Sequence, residues 1–461
     1  MSETGLRRAQ AKMAAAGVHQ KAIDVFTHYY AQLEEGVTGF IPEDSITPLE
    51  HPDLLESVSI TDEAAKAALT RTVMIKLNGG LGTSMGMEKA KSLLPVRDGK
   101  SFLDIIVDQV IYARATYGSS LPLIFMNSFR THDDTLAALA AYPDLAVDDL
   151  GLDFVQNYEP KLRADDLTPV EWPADPSLEW CPPGHGDLYT ALDVSGMLDR
   201  LRARGYRYAS VSNSDNLGAA PNATIAGWFA GSGAPYAAEI CRRTPADRKG
   251  GHLAIRKSDS RLILRDTAQT AEEEMDFFTD EHRHPYFHTN NLWFDLDVLA
   301  RTLEERNSVL GLPLIKNEKT VDPADPSSPA VIQIECAMGA AIEVFEGATA
   351  IGVGRERFLP VKTTNDLLLL RSDVYGVGPD GQLTADTDPP LVDLDSRYYK
   401  TISAFDQRFP SGAPSLRRAS KLGVEGDWTF ESKVTVVGAV QLDDRGGPQT
   451  VAAGSVLGAE S

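Results

Sequence analysis

Cysteine is scarce: Cys181, Cys241 and Cys336 are the only three in 461 residues, and none forms a Cys-x-x-Cys pair. That excludes a disulfide scaffold and a cysteine-rich zinc module, and it fits a reducing, cytoplasmic setting. Long apolar runs are missing too. No stretch reaches the ~18 residues of a membrane span. The opening MSETGLRRAQAKMAAAG is amphipathic and lacks the apolar core of a secretory signal. Positive charge is in short supply: 44 Lys+Arg against 66 Asp+Glu leave a net charge of −22. A general nucleic-acid binder or an anionic-membrane binder needs the opposite balance. A small anionic substrate is not excluded, but the cations that hold it must be gathered locally.

What is present is an ordinary globular composition, 43% hydrophobic and 24% charged. The length predicts about three domains, or one large α/β domain with additions. Residues 4–34 are Ala-rich, free of proline and predicted helical, and 41–53 are turn-rich. Then short apolar runs at 73–77, 121–126, 206–211 and 291–294 alternate with helical periodicity at 102–117, 133–141 and 297–306. Such alternation predicts a mostly parallel sheet with helices on both faces. Ligands of such sheets lie at the carboxyl ends of the strands. Polar clusters follow most of the strand candidates.

Beyond about residue 385 the texture changes. Asp386-Thr387-Asp388-Pro389-Pro390 reads as a linker. Leu416, Leu422, Trp428, Val434 and Val440 then recur every six residues, interleaved with Val424, Phe430, Val436 and Leu442. A six-residue apolar period predicts a hexapeptide β-helix.

Four polar segments carry the chemistry. Leu77-Asn78-Gly79-Gly80-Leu81-Gly82 follows a strand candidate, and its glycines let backbone approach an anion. It is not a Walker A loop, and the spacing of Gly80, Gly82 and Gly86 is one residue too long for a dinucleotide fingerprint. Lys89 and Lys91 come just after it. Taken alone, the loop is open to two readings, an anion site or a plain turn. His185 sits between glycines in Pro182-Pro183-Gly184-His185-Gly186-Asp187, where it can meet a ligand oxygen or serve the core. Asn213-Ser214-Asp215 offers oxygen donors to a hard cation or a helix cap. Lys362 precedes Thr363-Thr364-Asn365-Asp366, a phosphate contact or an N-terminal cap. There is no Ser-His-Asp or paired-carboxylate constellation.

Together these residues resemble the eukaryotic-type UTP–glucose-1-phosphate uridylyltransferases, the UDP-glucose pyrophosphorylase family. The resemblance rests on six ordered motifs: 77–86 with Lys91-Ser92, 182–187, 212–218, Lys249-Gly250-Gly251, 289–293 and 357–364. It implies a Rossmann-like, glycosyltransferase-A-type nucleotidyltransferase domain with a mixed, mostly parallel sheet, followed by a C-terminal left-handed β-helix. The implied partition is an N-terminal helical segment over 1–70, a catalytic domain over 71–385 and the β-helix over 386–461. The implied reaction converts UTP and glucose 1-phosphate to UDP-glucose and pyrophosphate with Mg²⁺.

The resemblance also carries roles. Leu77, Asn78, Gly79 and Gly80 hold the nucleotide, Lys91 contacts its phosphates, and Gln156 and Gly184 read the uracil. Gly79, Gly80, His185, Asn213, Ser214 and Asp215 face sugar and phosphate, with Asp215 on the metal. Gly251, Asn290 and Asn291 belong to the sugar side, and Lys362 reaches the reacting phosphates. Three features depart from the family. Met87-Glu88-Lys89-Ala90-Lys91-Ser92 stands where animal members read Cys-Lys-Gly-Pro-Lys-Ser. His288 stands where the family often has Asn. The chain stops at Ser461, short of a tail that some members carry, so a monomer or small homo-oligomer is expected. Competing readings are a broader UDP-sugar or UDP-N-acetylhexosamine pyrophosphorylase, an NAD-dependent oxidoreductase, and a non-catalytic UDP-sugar-binding protein. The glycine spacing and the lysines after it count against the second. Intact Lys91, Asp215 and Lys362 count against the third.

Overall fold

The structure, a computed structural model, describes residues 2–244 and 247–458. Its centre is an eight-stranded sheet in the order Asp53–Leu54, Thr349–Val353, Tyr236–Arg242, Tyr286–Asp295, Tyr208–Asn213, Thr72–Asn78, Leu123–Asn127 and Asp153–Val155. Neighbours run parallel except on either side of Tyr286–Asp295, which is antiparallel to both. The sheet is therefore mixed and mostly parallel, as predicted.

Strand residues alternate between two cores. Met74, Leu123 and Phe125 pack on one face, and Val73, Ile75, Ile124 and Met126 on the other. A strand covered on both faces reads as an unbroken apolar run, which is why these runs were visible in the sequence. The helix Phe102–Tyr117 covers the first face. A capping box of Ser101 and Asp104 starts it, and Gly118, at φ 60, ends it. The helices Ser2–Ala15, Gln20–Glu34 and Leu188–Val194 cover the second face through Met13, Phe26, Tyr30 and Tyr189.

Two expectations are corrected. The single helix over 4–34 is two helices, because Gly17 takes φ 80 and His19 caps the second by accepting from Lys21 N. The strand foreseen at 291–294 is Tyr286–Asp295, a far longer element. Its first half carries His288, Thr289 and Asn290, which look towards a site rather than a core, so the apolar signal there is broken.

Past residue 390 the strands are parallel. Leu391–Leu394, Ser415–Val424, Thr435–Leu442 and Val456–Gly458 form one sheet, and Trp428–Phe430 pairs with Gln449–Val451. Leu422 lies opposite Val440, three six-residue periods further on. The hexad residues are buried except Trp428 and Leu442, which are half-buried. They share a core with Phe102 and Leu368. Among the described residues, no helix is long and apolar enough to cross a membrane.

Candidate active site

Parallel pairing brings several strand ends to one edge of the sheet. Leu77 lies opposite Asn213, so Gly79-Gly80 and Ser214-Asp215 emerge side by side. Gln156 follows the strand Asp153–Val155, and its main-chain N–H donates to Asn127 O at 2.8 Å. Two adjoining hollows open there. Leu77, Gly79, Gly80, Lys91, Gln156, Gly184, His185, Asn213, Ser214 and Asp215 line the first. The second takes His185, Asn213, Asp215, Lys249, Gly251, His288, Asn290 and Lys362. Their empty volumes, open mouths included, are about 760 and 1060 Å³, enough for a bound small molecule in each. His185, Asn213 and Asp215 belong to both and mark the junction.

Two predicted site residues lie below these walls. Asn78 is buried, donating to Asn127 Oδ1 and Thr135 Oγ1 at 2.8 and 2.9 Å and accepting from Ser214 Oγ at 3.0 Å. Asn291 is also buried. Its Nδ2 donates to Glu239 Oε2 at 3.1 Å and Arg357 O at 3.2 Å. Both side chains are tied to protein and support the floor. Glu88 and Lys89 are exposed and line neither hollow.

The glycines have distinct reasons. A Cβ on Gly79 would meet Gln156 Nε2 at 2.7 Å, so the amide lies directly over the loop. Gly184 has φ 77, and a Cβ there would come within 2.7 Å of Cys336 O. A Cβ on Gly80 would meet nothing within 4 Å; that space belongs to the hollow. Asn290 takes the left-handed conformation at φ 61, with its N–H donating to His288 Nδ1 at 3.1 Å. Such a residue inside a strand turns a side chain out of the regular alternation.

Lys91 Nζ donates to Asp215 Oδ2 at 2.7 Å and also to Val361 O. Asp215 Oδ1 is buried without a hydrogen-bond partner among the described residues. Among those residues no cluster of three or more His, Cys, Asp or Glu could hold a metal by itself. Mg²⁺ asks for less: one or two carboxylates, with substrate phosphates and water completing the shell. An orphaned carboxylate oxygen at the junction of two hollows fits that requirement. Lys362 is exposed on the wall, and its main-chain N–H donates to Asp366 Oδ2 at 2.8 Å, below the helix Thr364–Arg371.

Burial lowers His185 and His288 to about 4, so both rings are neutral near pH 7. His185 Nδ1 accepts from Met338 N at 3.0 Å, which leaves its ring hydrogen on Nε2. His288 Nδ1 likewise accepts from Asn290, and its Nε2 is buried without a partner among the described residues. Each ring is a neutral donor.

Three charged residues in the floor have no role in the sequence reading, although Arg357 opens one of its motifs. Glu239 and Arg357 form a buried pair, Arg357 Nη2 to Glu239 Oε1 at 2.7 Å and Nε to Oε2 at 3.0 Å. Burial pushes Glu239 up, but Arg357 outweighs it and holds the carboxyl below its ordinary value. Lys76, fully buried and lowered to about 7 by desolvation, donates to Ser212 Oγ at 2.7 Å and Ala219 O at 2.8 Å. The signal was there: Glu239 and Lys76 each stand alone in an apolar strand. Asp266 of the second hollow also follows a strand, Leu262–Arg265.

A mixed α/β enzyme with an anion-ready glycine loop, local lysines and a cation-ready carboxylate at its strand ends is the class these features define. The family profile described as UTP–glucose-1-phosphate uridylyltransferase matches residues 23–437. The chain belongs to this family. It is 38% identical to the UTP–glucose-1-phosphate uridylyltransferase of Solanum tuberosum, over 86% of this chain and 81% of that one. With the enzyme of the same name from Saccharomyces cerevisiae it shares 40%, over 81% and 74%. Among solved structures, the UDP-glucose pyrophosphorylase of Leishmania major superposes with a TM-score of 0.92 at 41% identity, covering 98% of both chains. A mutant of that enzyme, solved in complex with UDP-glucose, gives 0.91 at the same identity and coverage.

Proposed function

We propose that the chain transfers the uridylyl group of UTP to α-D-glucose 1-phosphate, giving UDP-glucose and pyrophosphate. Family membership over residues 23–437 carries this reading, and two hollows joined at Asp215 support it by offering one chamber per substrate. In this reading the first hollow takes UTP. Gln156 and the Gly184 backbone read the uracil edge, and Gly79-Gly80 let the phosphates approach the main chain. The second hollow takes glucose 1-phosphate, with Gly251 and Asn290 on the hexose.

Lys91 exchanges its contact with Asp215 for one with a nucleotide phosphate. The carboxylate so released has the oxygen donors that Mg²⁺ prefers. Bound there, Mg²⁺ would supply charge neutralisation on the phosphate oxygens. The sugar phosphate is already an anion and attacks the α-phosphorus in line, so no strong base is needed. His185, neutral and carrying its hydrogen on Nε2, stabilises oxygen charge at the junction. Lys362 neutralises the charge that develops around the α-phosphorus as pyrophosphate leaves. Positioning and electrostatics then account for catalysis, without a covalent enzyme intermediate.

We further read 1–70, 71–385 and 386–461 as N-terminal, catalytic and left-handed β-helical parts, and the protein as a cytoplasmic monomer or small homo-oligomer. The test of function is pyrophosphate release from UTP and Mg²⁺ with glucose 1-phosphate, against N-acetylglucosamine 1-phosphate. Strong preference for glucose 1-phosphate is expected. Equal use of both would make the protein a broader UDP-sugar pyrophosphorylase.

A further inference from the structure

Gln156 and Gly184 lie on different segments, yet both must hold one base edge at fixed spacing. The residue that joins them is Asp187. Its Oδ2 accepts from the main-chain N–H of Asn157 at 2.6 Å, and its Oδ1 accepts from Asn157 Nδ2 at 2.8 Å. Asn157 directly follows Gln156. Asp187 is only 5% exposed, and it closes the turn that begins at Gly184, with its own N–H donating to Gly184 O at 3.4 Å. A third segment locks that turn: Gly186 N–H donates to Cys336 O at 2.8 Å and Cys336 N–H to Pro183 O at 3.1 Å. Gln156 itself is pressed over Gly79.

We infer that Asp187 is a positioning residue for base selection, holding the Gln156 segment and the Gly184 turn in one register. This rests on the proposal that the first hollow binds UTP through these residues. Burial pushes the Asp187 carboxyl up to about 7, against the pull of both Asn157 donors; above that pH it is a carboxylate, acceptor-only, and satisfies both at once. An alanine in its place removes both acceptors and strands the main-chain N–H of Asn157; an asparagine would not, because Asn157 can turn its own amide and accept from the new NH₂. Asp187 acts through Asn157 and the Gly184 turn and need not touch the nucleotide.

The experiment measures kcat/KM for UTP and for CTP in wild type, Asp187→Ala and Gln156→Ala, with KM for glucose 1-phosphate alongside. In Asp187→Ala the UTP/CTP ratio should fall about tenfold, the scale of a lost hydrogen bond with its donor left unpaired, while KM for glucose 1-phosphate stays within about twofold. A purely structural role would lower both nucleotides together and leave the ratio unmoved. A ratio unchanged in Asp187→Ala but lowered in Gln156→Ala overturns the inference and leaves the base site standing. A ratio unchanged in both overturns the base site, and the inference with it. If Asp187→Ala does not fold, Asn157→Ala, which removes only the side-chain bond, is read the same way.

Discussion

Lys362 stands exposed at the edge of the second hollow, far along the chain from Lys91, which lines the first. In a chain of net charge −22, the proposed mechanism asks these two ammonium groups, with Mg²⁺ at Asp215, to supply the positive charge that the phosphates need. If Lys362 acts mainly on the transition state, as proposed, Lys362→Ala should lower kcat by about 10²–10³, with UTP affinity changed much less. Steady-state kinetics with an independent UTP titration decide it; a normal kcat with a raised KM would make Lys362 a ground-state contact. His288 gives a second prediction. It sits at about 4 when folded and near 6.5 when unfolded. Between those values the unfolded state binds more protons, so the stability tied to His288 is whole above about pH 6.5 and drains as pH falls towards about 4. His288→Asn lacks this term. Relative to wild type it should gain stability on going from about pH 6.5 to about pH 4.5 in urea unfolding, and a constant difference would contradict this. At this scale the residues legible in sequence were those beside glycines or at strand ends. Asp187 was visible in its motif, but its bond to Asn157 depends on two segments meeting, which no local pattern records.

At the scale of elements, the site depends on a short stretch between Thr349–Val353 and the helix Thr364–Arg371. Arg357 anchors it from beneath. Besides Glu239, its Nη1 donates to Ala220 O at 2.6 Å. Asn216 Oδ1 accepts from Leu359 N at 2.8 Å, and Val361 N donates to Asp215 O at 3.3 Å. Arg357→Ala leaves Glu239 buried without its charged partner, with only the neutral donors Asn291 and Trp293, which costs about 3–5 kcal/mol. Replacing both with neutral residues of similar shape, Glu239→Gln with Arg357→Met, should cost less than the single change. Denaturant unfolding checks this, and a loss below about 1 kcal/mol in Arg357→Ala would contradict it. Strands covered on both faces were legible because burial forces continuous apolar sequence. The antiparallel strand Tyr286–Asp295 was half hidden, since its polar half serves the hollow. The break at Gly17 is hidden because proline-free, helix-compatible sequence lies on both sides of it.

Over the whole molecule, the hexad period announced the parallel C-terminal strands, because a repeating inward face needs a repeating residue. The order of the central sheet was not legible: it depends on long-range pairing, such as Asp53–Leu54 beside Thr349–Val353. The C-terminal sheet leaves Leu391 and Val456 exposed on its two edge strands, and open edges invite pairing. Sedimentation should find a monomer or dimer, and a stable octamer would contradict that expectation.

The central claim is direct transfer between two substrates held in adjoining hollows. It is tested most directly by running the reaction with UTP made chiral at the α-phosphorus by a single sulfur, then reading the configuration of the sulfur-labelled UDP-glucose. One in-line displacement predicts inversion. Retention would mean two displacements through a covalent enzyme intermediate, and would contradict the account.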